Sequence, residues 1–205
     1  QAGRDVDHHP DYRGDPWGRL ARTRHFLALT PFGTEADAAE AVAQVKRIHR
    51  SVRRTAPDGR TYAANDPHLL TWVHVAEVHS FLAAYQRYGE GTLSPAEADE
   101  YVAQSARTAL DLGARGVPTT TAELASVIDS YRPELQSTPA ARAAARYLLV
   151  DPPLPIAMRP AYLMLGGAAV GLLPLWARWP LRLPWFPVTE ATAARLAGEV
   201  ATRSV

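Results

Sequence analysis

Asp66-Pro67-His68-Leu69-Leu70-Thr71-Trp72-Val73-His74-Val75-Ala76-Glu77-Val78-His79-Ser80-Phe81-Leu82 is the stretch on which the fold class turns. Proline suits a first helical turn, because its missing N–H would be unbonded there anyway. Leu70, Val73, His74, Glu77, Val78 and Phe81 then recur at three- and four-residue spacing, which places them on one helical face. The pattern predicts a helix to about Tyr88, stopped by Gly89 and Gly91.

The same signals repeat on both sides. Asp15-Pro16 precede a helix over Trp17 to Leu29, and Thr34 with Asp37 caps one reaching about Arg54. Ala56-Pro57-Asp58-Gly59 reads as a turn. Ser94-Pro95-Ala96-Glu97 starts a helix that ends near Gly113. Thr119 to Tyr131, Thr138 to Leu149, Pro155 to Ala177 and Val188 to Ser204 complete the set. Two-residue alternation between turns is nowhere sustained, so the reading is all-α: one helical domain of about eight helices over residues 1–205.

The 205 residues are 47% apolar and 21% charged, enough to build a core and too apolar for disorder. Lys and Arg number 22 against 21 Asp and Glu, a net charge of +1 that gives no electrostatic case for nucleic acid. There is no cysteine, which excludes disulfides, thiolate zinc sites, iron–sulfur clusters and a cysteine nucleophile. Any iron must be held by His, Asp, Glu or Tyr. The polar start, Gln1 to Pro10, shows no signal peptide, and the chain reads as a trimmed, cytoplasmic protein. Pro160 to Ala177 is uncharged but interrupted by Gly166, Gly167, Gly171 and Pro174, which favours a buried or interfacial helix over a membrane span.

Seven histidines therefore carry most of the chemical interest. His49 falls within an apolar stripe of Val42, Val45, Ile48 and Val52, with Arg53 one turn further on the same face. An imidazole there is either a core histidine bonded to a carbonyl or an iron ligand facing a cofactor. His74 and Glu77 are neighbours on the third helix, and a buried carboxylate needs an arginine, a histidine or a metal. His79 falls on a different face from His74, at about 100° per residue. His68 is expected in solvent, and His8 and His9 lie in an irregular start. On the first helix Arg19, Arg22 and Thr23 form a polar stripe, either a solvated face or a wall able to hold an anion or bound oxygen.

At these residues the chain resembles the family of latex-clearing rubber oxygenases and fungal ER-bound oxygenases. The likeness rests on Asp11-Tyr12-Arg13 with Asp15-Pro16-Trp17-Gly18-Arg19-Leu20, on Val45 to Arg53, and on Asp66-Pro67 through Trp72-Val73-His74 to Ser80-Phe81-Leu82. It extends to Leu154-Pro155, Arg159-Pro160, Val170 to Pro174 and Leu183-Pro184-Trp185. The resemblance implies a globin-related, haem-oxygenase-like helical bundle around a b-type haem. It implies His49 as the proximal iron ligand, Arg53 as the arginine that follows it, and Arg19, Arg22 and Thr23 as the distal Arg-x-x-Lys-Thr run. Arg22 stands where that run has lysine, and an always-protonated guanidinium does not ligate iron. Val75, Ala76 and Glu77 follow His74 where relatives read Ala-Thr-Leu, and His79 replaces a common Asp. Relatives carry an apolar helix upstream of the first match, which a chain beginning at Gln1 is expected to lack.

The function implied is O2-dependent oxidation of an apolar small molecule, such as cleavage of a carbon–carbon double bond. His49 is the expected iron ligand, Arg53 and His74 further haem contacts, Glu77 a candidate base, and Arg19, Arg22 and Thr23 donors to bound oxygen or a propionate. Two alternatives stand beside it. One is a non-haem iron site at His74 and Glu77, although di-iron bundles use paired Glu-x-x-His motifs and this chain has one His-x-x-Glu. The other is a cofactor-free helical binding or scaffold protein.

Overall fold

α1 (Pro16–Phe32) and α2 (Glu35–Ser51) pack on each other across a two-residue link, Gly33 and Thr34. The computed structural model describes residues 16–55, 59, 61–149 and 154–183. The expected Val188 to Ser204 helix, His8, His9 and the motif residues 11–15, 184 and 185 lie outside them. Gly33 is required by close approach: a Cβ would meet the Leu29 carbonyl oxygen at 2.6 Å. Thr34 and Asp37 form the expected capping box. The Asp37 amide donates to Thr34 Oγ1 at 3.2 Å, and the Thr34 amide to Asp37 Oδ2 at 3.2 Å.

α2 stops at Ser51, three residues short of the expected end. Val52 turns into extended backbone, and Arg53–Thr55 (β1) pairs antiparallel with Thr61–Ala63 (β2), Arg54 opposite Tyr62. Strands of three residues are too short to show the alternation that marks a strand in sequence. The described residues otherwise form eight α-helices and two 3-10 turns, so the all-α reading holds.

Two compact units can be separated, Gln1–Thr71 with Ser105–Val117, and Trp72–Gln104 with Pro118–Val205. In the first, the start of α3 (Pro67–Tyr88) meets the end of α4 (Pro95–Leu112) around Leu70, Ala109, Ala114 and Val117. Buried Thr71 joins them: its hydroxyl lies 2.9 Å from the Pro67 carbonyl and 2.8 Å from that of Arg115, and it accepts the Arg115 N–H. Gly113 ends α4 at φ +109, a conformation favouring glycine.

The second unit holds the larger core. Val75 and Val78 of α3, Val102 of α4, and Leu124 and Ile128 of α5 (Thr121–Tyr131) bury one another, with Trp72, Leu82, Tyr101 and Trp176 around them. Ser94 and Glu97 cap α4, and Thr120 and Glu123 cap α5, which starts at Thr121 and not at the expected Thr119. Asp99 Oδ1 ties the two helices by accepting the Thr121 amide at 2.8 Å and its hydroxyl at 2.7 Å.

α6 (Pro139–Leu149) follows. The single helix expected over Pro155 to Ala177 is instead a 3-10 turn, α7 (Arg159–Leu172) and α8 (Leu175–Leu181), because Pro174 lacks the N–H a continuous helix needs. Arg178, 5% exposed, fills that gap: Nε donates to the Leu173 carbonyl and Nη2 to that of Gly171, each at 2.6 Å. Carbonyls at a helix C-terminus have no intrahelical partner, and a cation there is favoured. Among the described residues no helix is long and apolar enough to cross a membrane.

Candidate functional site

His49 sits in the last turn of α2, half-buried, in a cleft of about 210 Å³. Lys46, Arg50, Asn65, Leu112 and Gly113 form the rest of the wall. Lys46 is anchored by donating Nζ to the Asp111 carbonyl at 2.7 Å. Burial lowers the His49 pKa from its ordinary value, because desolvation disfavours the imidazolium. Among the described residues no hydrogen bond engages its side chain. No carbonyl of the described residues bonds either ring nitrogen, as a satisfied core histidine would require.

Arg53 does not share the His49 face. The helix has ended, so the one-turn relationship does not exist; Arg53 lies exposed on β1 and lines a different cleft. Ile48, expected in the apolar stripe, is 52% exposed. Arg22 and Thr23 are exposed on α1 and do not line the His49 cleft; Arg19 has its place on the same helix.

His74 and Glu77 belong to the second unit, and α3 holds both half-buried. His74 Nε2 is buried with no hydrogen-bond partner. Such an atom is costly to leave unbonded, and each one asks for an explanation. Desolvation lowers the His74 pKa and raises that of Glu77. Glu77 has no ion pair or hydrogen bond among the described residues, so the structural ion pair that its burial would call for is missing. His68 is exposed, as expected for the first turn, and His79, expected on a different face from His74, is exposed too.

These groups can act as neutral Lewis bases, at His49 and His74, and as a carboxyl held toward its protonated form, at Glu77. The donors fit ligation of a haem iron, which takes an unprotonated imidazole. The His49 cleft by itself is smaller than the 300–1,000 Å³ usual for ligand sites. Among the described residues no three His, Asp or Glu side chains converge as a metal cluster, so a non-haem site at His74 and Glu77 has no third ligand there. Asn65 escaped the sequence reading, since an Asn beside Asp-Pro reads as turn chemistry; its role in the cleft comes from the β-hairpin that delivers it.

Comparison with known proteins places this geometry in context. The family model described as ER-bound oxygenase mpaB/B'/rubber oxygenase, catalytic domain, matches residues 1–202. The uncharacterized protein Rv2237 of Mycobacterium tuberculosis is 36% identical over 84 residues, 41% of this chain and 32% of that protein. The uncharacterized protein Mb2261 of Mycobacterium bovis matches to the same extent. The match thus spans about a third of the length of these curated relatives. No solved structure matches the chain significantly. With nearly its whole length covered by one family model, the chain belongs to the family of ER-bound oxygenase mpaB/B' and rubber oxygenase catalytic domains.

Proposed function

We propose that the chain is a b-type haem-dependent oxygenase that uses O2 to oxidise an apolar small molecule, with His49 as the iron ligand. The observation that carries this reading is the state of His49: half-buried, held toward the neutral imidazole by desolvation, and without a hydrogen bond to either ring nitrogen among the described residues. Haem b, when bound, supplies an iron at which dioxygen can be activated. His49 Nε2 or Nδ1 offers the lone pair that holds it. Arg22 and Thr23 of α1 are candidate N–H and O–H donors, whereas Arg53, on β1 and lining a different cleft, is not assigned to the haem. Within the second unit, burial raises the Glu77 pKa and His74 Nε2 is buried without a hydrogen-bond partner, so these two are candidate proton-handling groups in their own right. An apolar substrate agrees with the rubber oxygenases named in the family.

An absorption spectrum of the purified chain, with and without added hemin, tests this directly. Wild type should give a strong Soret band that His49→Ala abolishes and His74→Ala retains, with hemin-dependent oxygen uptake following the band. Equal spectra for wild type and His49→Ala would overturn His49 as ligand. No band in any sample would favour a cofactor-free helical binding protein, a reading to which the small volume of the His49 cleft lends support.

A further inference from the structure

Beside the β1–β2 hairpin lies a second cleft, of about 530 Å³, lined by Arg53, Arg54, Thr55, Thr61, Tyr62 and Asp66. That volume lies within the range of small-molecule sites. Its chemistry is one-sided. Each guanidinium carries five N–H donors, and Thr55, Thr61 and Tyr62 add hydroxyls. Register places Arg54 opposite Tyr62 and Thr55 opposite Thr61. Neither arginine has a carboxylate partner among the described residues; Arg54 Nη1 donates to the Arg53 carbonyl at 3.2 Å. The one acid in the wall, Asp66, is engaged at the start of α3, where its Oδ1 accepts the His68 amide at 2.9 Å.

The surrounding charge points the same way. Lys46, Arg47, Arg50, Arg53 and Arg54 crowd into nine residues, and no Asp or Glu occurs between Glu40 and Asp58. Lys46 and Arg50 are turned to backbone carbonyls, Asp111 at 2.7 Å and Lys46 at 3.3 Å, so their charge is not neutralised. A chain with net charge +1 thus concentrates positive potential at one place. The strands beside it are exposed, and a two-stranded hairpin alone is marginally stable, so a ligand bridging both strands would stabilise it.

We propose that this cleft binds an oxyanion, the phosphate or carboxylate group of a small molecule or lipid headgroup, with Arg54 as its principal fork and the Thr61 and Tyr62 hydroxyls as further donors. Guanidinium forks match both groups in a bidentate way. The site is separate from the His49 cleft and does not depend on the oxygenase reading.

Calorimetric titration of the full chain with inorganic pyrophosphate at low ionic strength tests it. Wild type should bind saturably. Arg54→Gln should weaken binding by about tenfold or more, as loss of a charged hydrogen bond implies. Tyr62→Phe should weaken it less, and Arg54→Lys should fall between wild type and Arg54→Gln. Arg107→Gln, an exposed change on α4 in the same unit, should leave it unaltered. Co-sedimentation with phosphatidic acid vesicles but not phosphatidylcholine vesicles, abolished by Arg54→Gln, would assign the anion to a headgroup; pyrophosphate binding without co-sedimentation would assign it to a free ligand. Absence of binding to both probes would overturn the proposal. So would equal binding by wild type and Arg54→Gln, or an effect of Arg54→Gln on hemin spectra alone.

Discussion

α2 and α5 begin alike and end differently. Each opens with a threonine cap and an acid at the third helical position, Thr34 with Asp37 and Thr120 with Glu123. α5 then buries Leu124, Ile128 and Tyr131, a full face, while α2 buries only Ala41 and Val42. The cap sets where a helix starts, and the apolar load decides how firmly it is held. The difference also sorts the polar groups. Around α5, Asp99, Thr121 and Glu123 are all bonded. Around α2, the His49 side chain has no hydrogen bond among the described residues, and Lys46 and Arg50 bond only backbone carbonyls. Binding groups drawn from the less firmly packed part of a fold are what local stability leads one to expect.

That contrast can be broken in several ways. The largest expected effect is Leu124→Ala, which should cost roughly 2–5 kcal/mol in chemical denaturation, as for other buried leucines. A loss below about 1 kcal/mol would mean that the Val75–Val102–Leu124 cluster does not carry the stability assigned to it. Next come the caps. Thr120→Ala and Thr34→Ala should each cost about 1 kcal/mol, equally, since the two boxes have the same chemistry. A markedly smaller effect at Thr34 would show that α2 is already frayed.

Glu77→Gln sharpens the contrast from the other side, because His74 and Glu77 are half-buried groups of the second unit, His74 Nε2 buried without a hydrogen-bond partner and Glu77 without an ion pair among the described residues. Burial raises the folded-state pKa of Glu77 above its ordinary 4.5. Its stabilising contribution is therefore complete below pH 4.5 and lost as pH rises through the raised value. Glu77→Gln should be more stable than wild type at pH 7, by less than a cap is worth, and the advantage should vanish toward pH 4.5. A variant less stable at pH 7 would mean that Glu77 has a partner in solution. The smallest effect belongs to Ile48→Ala, within about 0.5 kcal/mol of wild type despite its place in the apparent apolar stripe.

Helix starts were legible in the sequence because caps are local chemistry. Ser94-Pro95-Ala96-Glu97 and Asp66-Pro67 state their structure within four residues. Ends were less legible. Nothing between His49 and Arg54 announces that the helix stops at Ser51; the hairpin pairing that stops it depends on residues about ten positions away, such as Ala63 opposite Arg53. The consequence reached the site, since it moved Arg53 off the His49 face. His49, His74 and Glu77 were identifiable as polar groups on apolar faces. Whether they were bonded was not, because a hydrogen-bond partner comes from tertiary packing. Arg178 was invisible as a structural residue for the same reason.

Arg178 also fixes an order of events. α8 spans seven residues, too few to persist alone in water. Its central guanidinium holds the carbonyls of Gly171 and Leu173 at the end of α7. Opening α8 would strip those carbonyls, and unwinding the last turn of α7 would strand a buried cation. The two segments should therefore open as one cooperative unit, their backbone amides exchanging with solvent deuterium at a common rate, and Arg178→Met should uncouple them.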